Sequence, residues 1–132
     1  MSETMKFGVH MLFDAYNCDP KKLSDKIFLE KLLHELPKVL GMHSLMQPTV
    51  LEVGELNEKD PGGISGFVLI AESHISFHTF PKRGFVTADI YTCQDQLDTE
   101  TAINYLQSAF GTKDCDMSVH DRGVRYPARN IS

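Results

Sequence analysis

From residue 6 to residue 16, Phe7, Val9, Met11 and Phe13 alternate with Gly8, His10, Leu12 and Asp14, the period-2 pattern of a strand with one buried face. Asp19-Pro20 ends it. Leu23, Ile27, Phe28, Leu32, Leu36, Val39 and Leu40 then recur at helical spacing as far as Gly41, which fits a C-terminal cap, and Asp19 or Ser24 is placed to cap the start. Pro37, inside this pattern, predicts a kinked last turn or an early end to the helix. Residues 49–56 read as a second strand, and Asn57-Glu58-Lys59-Asp60-Pro61-Gly62-Gly63 as a loop. The run from Ile64 to Ala71 is almost continuously apolar, as in a doubly covered strand. Pro81-Lys82-Arg83-Gly84 is a connection short enough for a hairpin, and it leads into a β-rich run ending at Cys93. Asp98 opens a second helix with Ala102, Leu106, Ala109 and Phe110 as its apolar stripe and Gly111 as its stop. Cys115, Met117 and Val119 alternate as a last strand, and residues 122–132 read as an extended surface segment. Near-sequential hairpins with two amphipathic helices predict an α+β two-layer sandwich, an antiparallel β-sheet with two helices on one face.

One stretch does not suit packing alone. Ile70-Ala71-Glu72-Ser73-His74-Ile75-Ser76-Phe77-His78-Thr79-Phe80-Pro81 sets two imidazoles and two serine hydroxyls between core strands, and such a conflict marks a functional segment. A metal held by His74 and His78 is not expected. On a strand, a rise of ~3.3 Å per residue separates their α-carbons by ~13 Å, too far for two ligands of one ion.

Composition narrows the picture without changing it. At 132 residues the chain, 1–132, is expected to form one domain. With 42% hydrophobic and 23% charged residues it reads as a soluble globular protein, and no apolar run reaches the ~20 residues of a membrane span. Met1 to Lys6 carries no signal-peptide or transit-peptide pattern, so a cytoplasmic location is expected. A net charge of -5 argues against a nucleic-acid partner. Cys18, Cys93 and Cys115 have neither even number nor CxxC spacing, and are expected as free thiols.

The blocks Gly63-Ile64-Ser65-Gly66, the 70–81 stretch and Ala88-Asp89-Ile90-Tyr91-Thr92-Cys93 closely resemble the small prokaryotic form of the pyruvoyl-dependent S-adenosylmethionine decarboxylase family. Weaker likeness reaches upstream to Gly8-Val9-His10 and Tyr16-Asn17-Cys18-Asp19. The resemblance implies self-cleavage between Glu72 and Ser73: the Ser73 hydroxyl attacks the Glu72 carbonyl, an ester replaces the amide, and β-elimination leaves a pyruvoyl group on residue 73. That ketone is the implied cofactor, an electron sink that forms a Schiff base with the substrate. His78 matches the histidine that removes a proton during processing, and Ser65 a serine that assists it. Cys93 matches the cysteine that returns a proton to the substrate; an ordinary thiol holds its proton at neutral pH, as a general acid must. The resemblance also implies a homodimer with sites near its interface, and a place in polyamine biosynthesis.

The substrate residues depart from the family's pattern. Where its members carry an adenine-stacking aromatic, this chain has Lys59, and Phe80 stands where many have tryptophan. S-adenosylmethionine is the expected substrate by family default, its second stacking ring coming from Phe7 or Phe13. L-arginine or L-ornithine is the alternative, with Asp60 as the anchor for a cationic end group. A non-enzymatic homologue acting as a regulatory subunit is a lesser alternative.

Overall fold

The computed structural model describes residues 3–132; Met1 and Ser2, the start of the segment read above for targeting signals, lie outside the described residues. In chain order the elements are β1 (Thr4–Met5), β2 (Gly8–Ala15), α1 (Pro20–Leu23), α2 (Lys26–Val39), β3 (Thr49–Val53), β4 (Gly63–Ile70), β5 (Ser73–Phe80), β6 (Phe85–Thr92), α3 (Thr99–Phe110), β7 (Cys115–Arg122) and β8 (Tyr126–Pro127). Six strands form one sheet in the order β3-β4-β5-β6-β2-β7, and every pairing is antiparallel. β1 and β8 make a separate two-stranded ribbon, so part of the extended tail is paired.

Strand alternation sorts the sheet into two faces. Met11, Phe13, Val68, Ile75, Phe77, Val86 and Ile90 point to one side, where they form a single core with Leu23 of α1, Leu29, Leu33 and Leu36 of α2 and Leu106 and Phe110 of α3. Burying side chains of this size is worth about 1.5–3 kcal/mol each. Phe13 stacks on Phe110 with ring centroids 6.5 Å apart. Thr79, the polar residue on the inner face of β5, accepts from the Ile64 amide at 3.1 Å and donates to the Leu23 carbonyl at 2.8 Å, which ties α1 to the sheet. Among the described residues, the other face of the sheet carries no helix. The architecture is therefore the expected two-layer α+β sandwich.

Two details differ from the sequence reading. The first helical region is two helices, making three α-helices among the described residues. Asp19 caps α1 by accepting from the Lys21 amide, and Asp25 caps α2 by accepting from Phe28. Ser24 caps neither: it follows α1, and its hydroxyl donates to the Pro20 carbonyl. The apolar periodicity runs unbroken across the junction because Leu23 enters the same core as the α2 residues. Pro37 lies within α2, which continues to Val39; its missing amide removes one helical bond, and the helix ends two residues later.

Candidate active site

β4 and β5 form a hairpin joined by a two-residue turn, Ala71-Glu72, and Ser73 is the first residue after it, paired with Thr92 on β6. Ser73 has φ 149°, and among the described residues it shares positive φ outside glycine only with Asn17. Backbone held in such a region stores on the order of 1–3 kcal/mol. The bond before it is held from the opposite strand: the Cys93 amide donates to the Glu72 carbonyl oxygen at 2.7 Å. The chain turns immediately afterwards because the Gln94 amide donates to the Thr92 hydroxyl at 3.1 Å, leaving Cys93 exposed at the strand end. Gly8 makes room here. A β-carbon on it would sit 2.1 Å from the Thr92 carbonyl oxygen and 2.9 Å from the Cys93 α-carbon, so any side chain would push the Cys93 backbone away. An amide N–H aimed at a carbonyl oxygen is the donor that stabilises negative charge developing there under nucleophilic attack.

Ser65 and His78 are partners across β4 and β5, and the Ser65 hydroxyl lies 2.7 Å from His78 Nδ1. They face outward on the helix-free side. Ser73 and His78 are five steps apart along the strand, about 16 Å at ~3.3 Å per residue. One chain thus brings Ser73 together with Cys93, and Ser65 together with His78, but keeps the two pairs at opposite ends of β5. A cavity of about 480 Å³ opens at the His78 end, lined by Leu56, Lys59, Asp60, Phe80, Arg83 and Phe85. Lys59, Asp60 and Phe80, anticipated as substrate residues, all line this one cavity, whereas Phe7 and Phe13 do not. The second ring there is Phe85, whose centroid is 5.8 Å from that of Phe80. Phe13 is buried in the core, while Phe7 packs on Tyr91 and Tyr126, near the Cys93 end.

Between the two ends lies a network that pattern reading did not single out. Asp89 Oδ2 accepts from His10 Nε2 at 2.6 Å and from His74 Nε2 at 3.0 Å, and the Ser76 hydroxyl donates to Oδ1. Burial, the largest influence on Asp89, favours its neutral form, but the bonds from Ser76, His10 and His74 outweigh it and hold the carboxyl below its ordinary range. Arg122 donates to His10 Nδ1 at 2.7 Å, and its guanidinium lies 4.9 Å from the centre of the Tyr91 ring. His10, His74 and Asp89 present ligand-capable atoms within 4.8 Å of one another. Because Arg122 makes His10 Nδ1 the acceptor, His10 Nε2 carries its proton toward Asp89 and must lose it before binding a cation.

The family profile described as S-adenosylmethionine decarboxylase matches residues 9–123. The S-adenosylmethionine decarboxylase proenzyme of Pyrococcus furiosus is 33% identical over 117 residues, covering 89% of this chain and 79% of that one. The proenzyme of Pyrobaculum islandicum is 34% identical over 117 residues, 89% of each chain. The chain belongs to the S-adenosylmethionine decarboxylase family. The crystal structure of the adenosylmethionine decarboxylase from Aquifex aeolicus superposes with a TM-score of 0.76 at 31% identity, over 96% of this chain and 98% of that one. This S-adenosylmethionine decarboxylase family member is accordingly a carboxy-lyase rather than a non-enzymatic homologue. No helix among its described residues is long and apolar enough to cross a membrane.

Membership leaves the Asp89 network without an assigned part. Its residues were visible as outward positions: His10 alternates with buried Val9 and Met11, and Asp89 with buried Ala88 and Ile90. Only the strand order β5-β6-β2 makes neighbours of them, through the registers His10↔Tyr91 and His74↔Tyr91. The histidine that joins His74 is therefore His10 from a distant strand, and His78 is bound to Ser65 instead.

Proposed function

We propose that the chain is a self-processing, pyruvoyl-dependent decarboxylase of S-adenosylmethionine, maturing by cleavage between Glu72 and Ser73. The observation that carries this reading is the bond itself: strained backbone at Ser73, with the preceding carbonyl oxygen held by the Cys93 amide. Attack by Ser73 Oγ on the Glu72 carbonyl breaks the amide and forms an ester, relieving the strain as the oxyanion is stabilised by that amide. Removal of the α-proton of residue 73 then expels Glu72 as a carboxylate, and the dehydroalanine left behind loses ammonia to water, giving the ketone. Residue 73 suits such a group, since it opens a strand beside an exposed thiol. When present, the pyruvoyl ketone withdraws electrons from the α-carbon of a bound amine, which is what α-decarboxylation requires. Cys93 is placed to return the proton to that carbon.

The ~16 Å between Ser73 and His78 is too long for a proton transfer within one chain. In the proposed enzyme two copies pair through their helix-free faces, so that Ser73 and Cys93 of one protomer meet Ser65 and His78 of the partner subunit. The same pairing sets Phe7 opposite Phe80 of the partner subunit, two rings for an adenine. The arginine or ornithine alternative finds no support among the relatives, and the cavity weakens it further. Asp60 Oδ1 already accepts from the Gly62 amide at 3.0 Å, and Lys59 and Arg83 share the cavity, so a cationic end group would sit among cations.

Mass spectrometry of the purified protein tests the cleavage: fragments of residues 1–72 and 73–132, the second starting with a ketone, are expected. An intact chain after prolonged incubation at neutral pH would overturn the reading. Carbon dioxide release from S-adenosylmethionine, arginine and ornithine decides the substrate, and Asp60→Asn should leave S-adenosylmethionine turnover nearly unchanged.

A further inference from the structure

The loop between α2 and β3 reaches the tip of the β4–β5 hairpin. Ser44 bridges to Ile70, the Leu45 amide donates to the Leu69 carbonyl at 2.9 Å, and the Ala71 amide donates to the His43 carbonyl at 2.7 Å. His43 also holds the Glu72 side chain twice, its amide donating to Oε1 at 3.0 Å and its ring Nδ1 to Oε2 at 2.8 Å. The Glu72 side chain is only 14% exposed, whereas the His43 ring is 78% exposed. An exposed imidazole adds little to the core, so its structural worth lies almost wholly in what it holds. Burial alone would favour the neutral carboxyl at Glu72, yet the His43 amide and ring, followed by the Glu72 backbone amide, hold it below its ordinary range.

We infer that His43 is a positioning residue for self-cleavage: its ring and amide clamp the carboxylate of the residue that supplies the attacked carbonyl. The inference rests on the self-cleavage reading above. Two effects follow from the clamp. With its carbonyl oxygen on the Cys93 amide and its carboxylate on His43, Glu72 is fixed at both ends, which limits rotation of the carbonyl that the Ser73 hydroxyl must attack. The clamp also pairs the carboxylate's charge with two donors, which weakens its repulsion of the negative charge that must develop on the carbonyl oxygen.

The test follows full-length chain made by cell-free translation and measures its first-order conversion into the two fragments at neutral pH. His43→Ala, which removes one bond to a charged group and keeps the backbone amide, should slow cleavage about tenfold or more. His43→Asn presents an amide nitrogen where Nδ1 stands and should restore the rate to within about threefold of the original. Glu72→Ala loses both bonds to His43, so it should slow cleavage at least as much as His43→Ala, and the two substitutions together should fall short of the product of their separate effects, since they share the ring contact. Thermal melts of the same variants in an uncleavable Ser73→Ala chain report folding separately. An unchanged rate in His43→Ala would overturn the inference while leaving self-cleavage intact, and so would failure of His43→Asn to recover the rate with normal melting. Absence of cleavage in the unsubstituted chain would instead remove the self-cleavage reading, and this inference with it.

Discussion

At Ser73 the proposed nucleophile and the later ketone are the same residue, so Ser73→Ala is expected to abolish fragment formation and carbon dioxide release together. Cys93 and His78 are separable. Cys93→Ala keeps the backbone amide that faces Glu72, so cleaved protein should accumulate while product formation falls by about 10²–10⁴-fold, the usual worth of a positioned acid. His78→Ala should stall at the ester, which hydroxylamine splits; a variant that hydroxylamine leaves whole would take the processing step away from His78. Asp89 offers a pH test. Its folded-state carboxyl is held below the unfolded value of ~3.9, so the stability it contributes is complete above that value and is lost as pH falls through the lower, folded one. Glu72 and Asp98 are also lowered, Glu72 by His43 against burial and Asp98 by Thr101 hydrogen bonds. Asp89→Asn should therefore reduce, without removing, the fall in melting temperature below about pH 4. An undiminished fall would show that the three bonds to Asp89 do not stabilise its charged form.

Elements with their own start and stop signals were legible in the sequence. Asp98 caps α3 through the Thr101 amide and Gly111 ends it at φ 69°, as read from residue type alone. The break between α1 and α2 was hidden, because Leu23, Ile27 and Phe28 read as one apolar pattern, whereas Ile27 is exposed and Leu29 takes the buried position once Asp25 has capped α2. β5 was legible only in half. Its chemistry stood out, but the His74, Ser76, His78 positions alternate with buried Ile75, Phe77 and Thr79, so the segment is an ordinary central strand whose polar residues face outward. A short offset in sequence hides how far an extended strand carries Ser73 from His78, and only the regular pairing of β5 on both sides puts them at opposite ends. Energetically the elements should answer as their packing dictates. Leu33→Ala, in the middle of α2 and fully buried, should cost roughly 2–5 kcal/mol in urea unfolding, and Asp25→Ala about 1 kcal/mol through its lost cap.

For the whole molecule the open face of the sheet is what matters. Leu12, Leu51, Phe67 and Leu69 are exposed there, although each lies in a regular strand, and a sheet with one face packed and the other partly apolar invites a second layer. Two-fold pairing is self-complementary: if Ser73 of one copy meets His78 of the partner subunit, the reverse contact follows, and the axis crosses β5 midway, near Ser76 and Asp89. Complementation tests this directly. Neither Ser73→Ala nor His78→Ala should mature alone. In a mixed dimer, however, the His78→Ala chain brings an intact Ser73 to the intact His78 of its Ser73→Ala partner, so one site of the two is whole. Co-expression of the two variants, each marked by a different tag, should yield fragments from the His78→Ala chain and none from the Ser73→Ala chain. Random pairing makes mixed dimers about half of the total, which limits cleavage to about half of the His78→Ala chains. Sites built within single chains predict no cleavage in the mixture. That outcome would require β5 to bend until its two ends met, or another base to serve Ser73, and it would remove the shared site from the proposed enzyme.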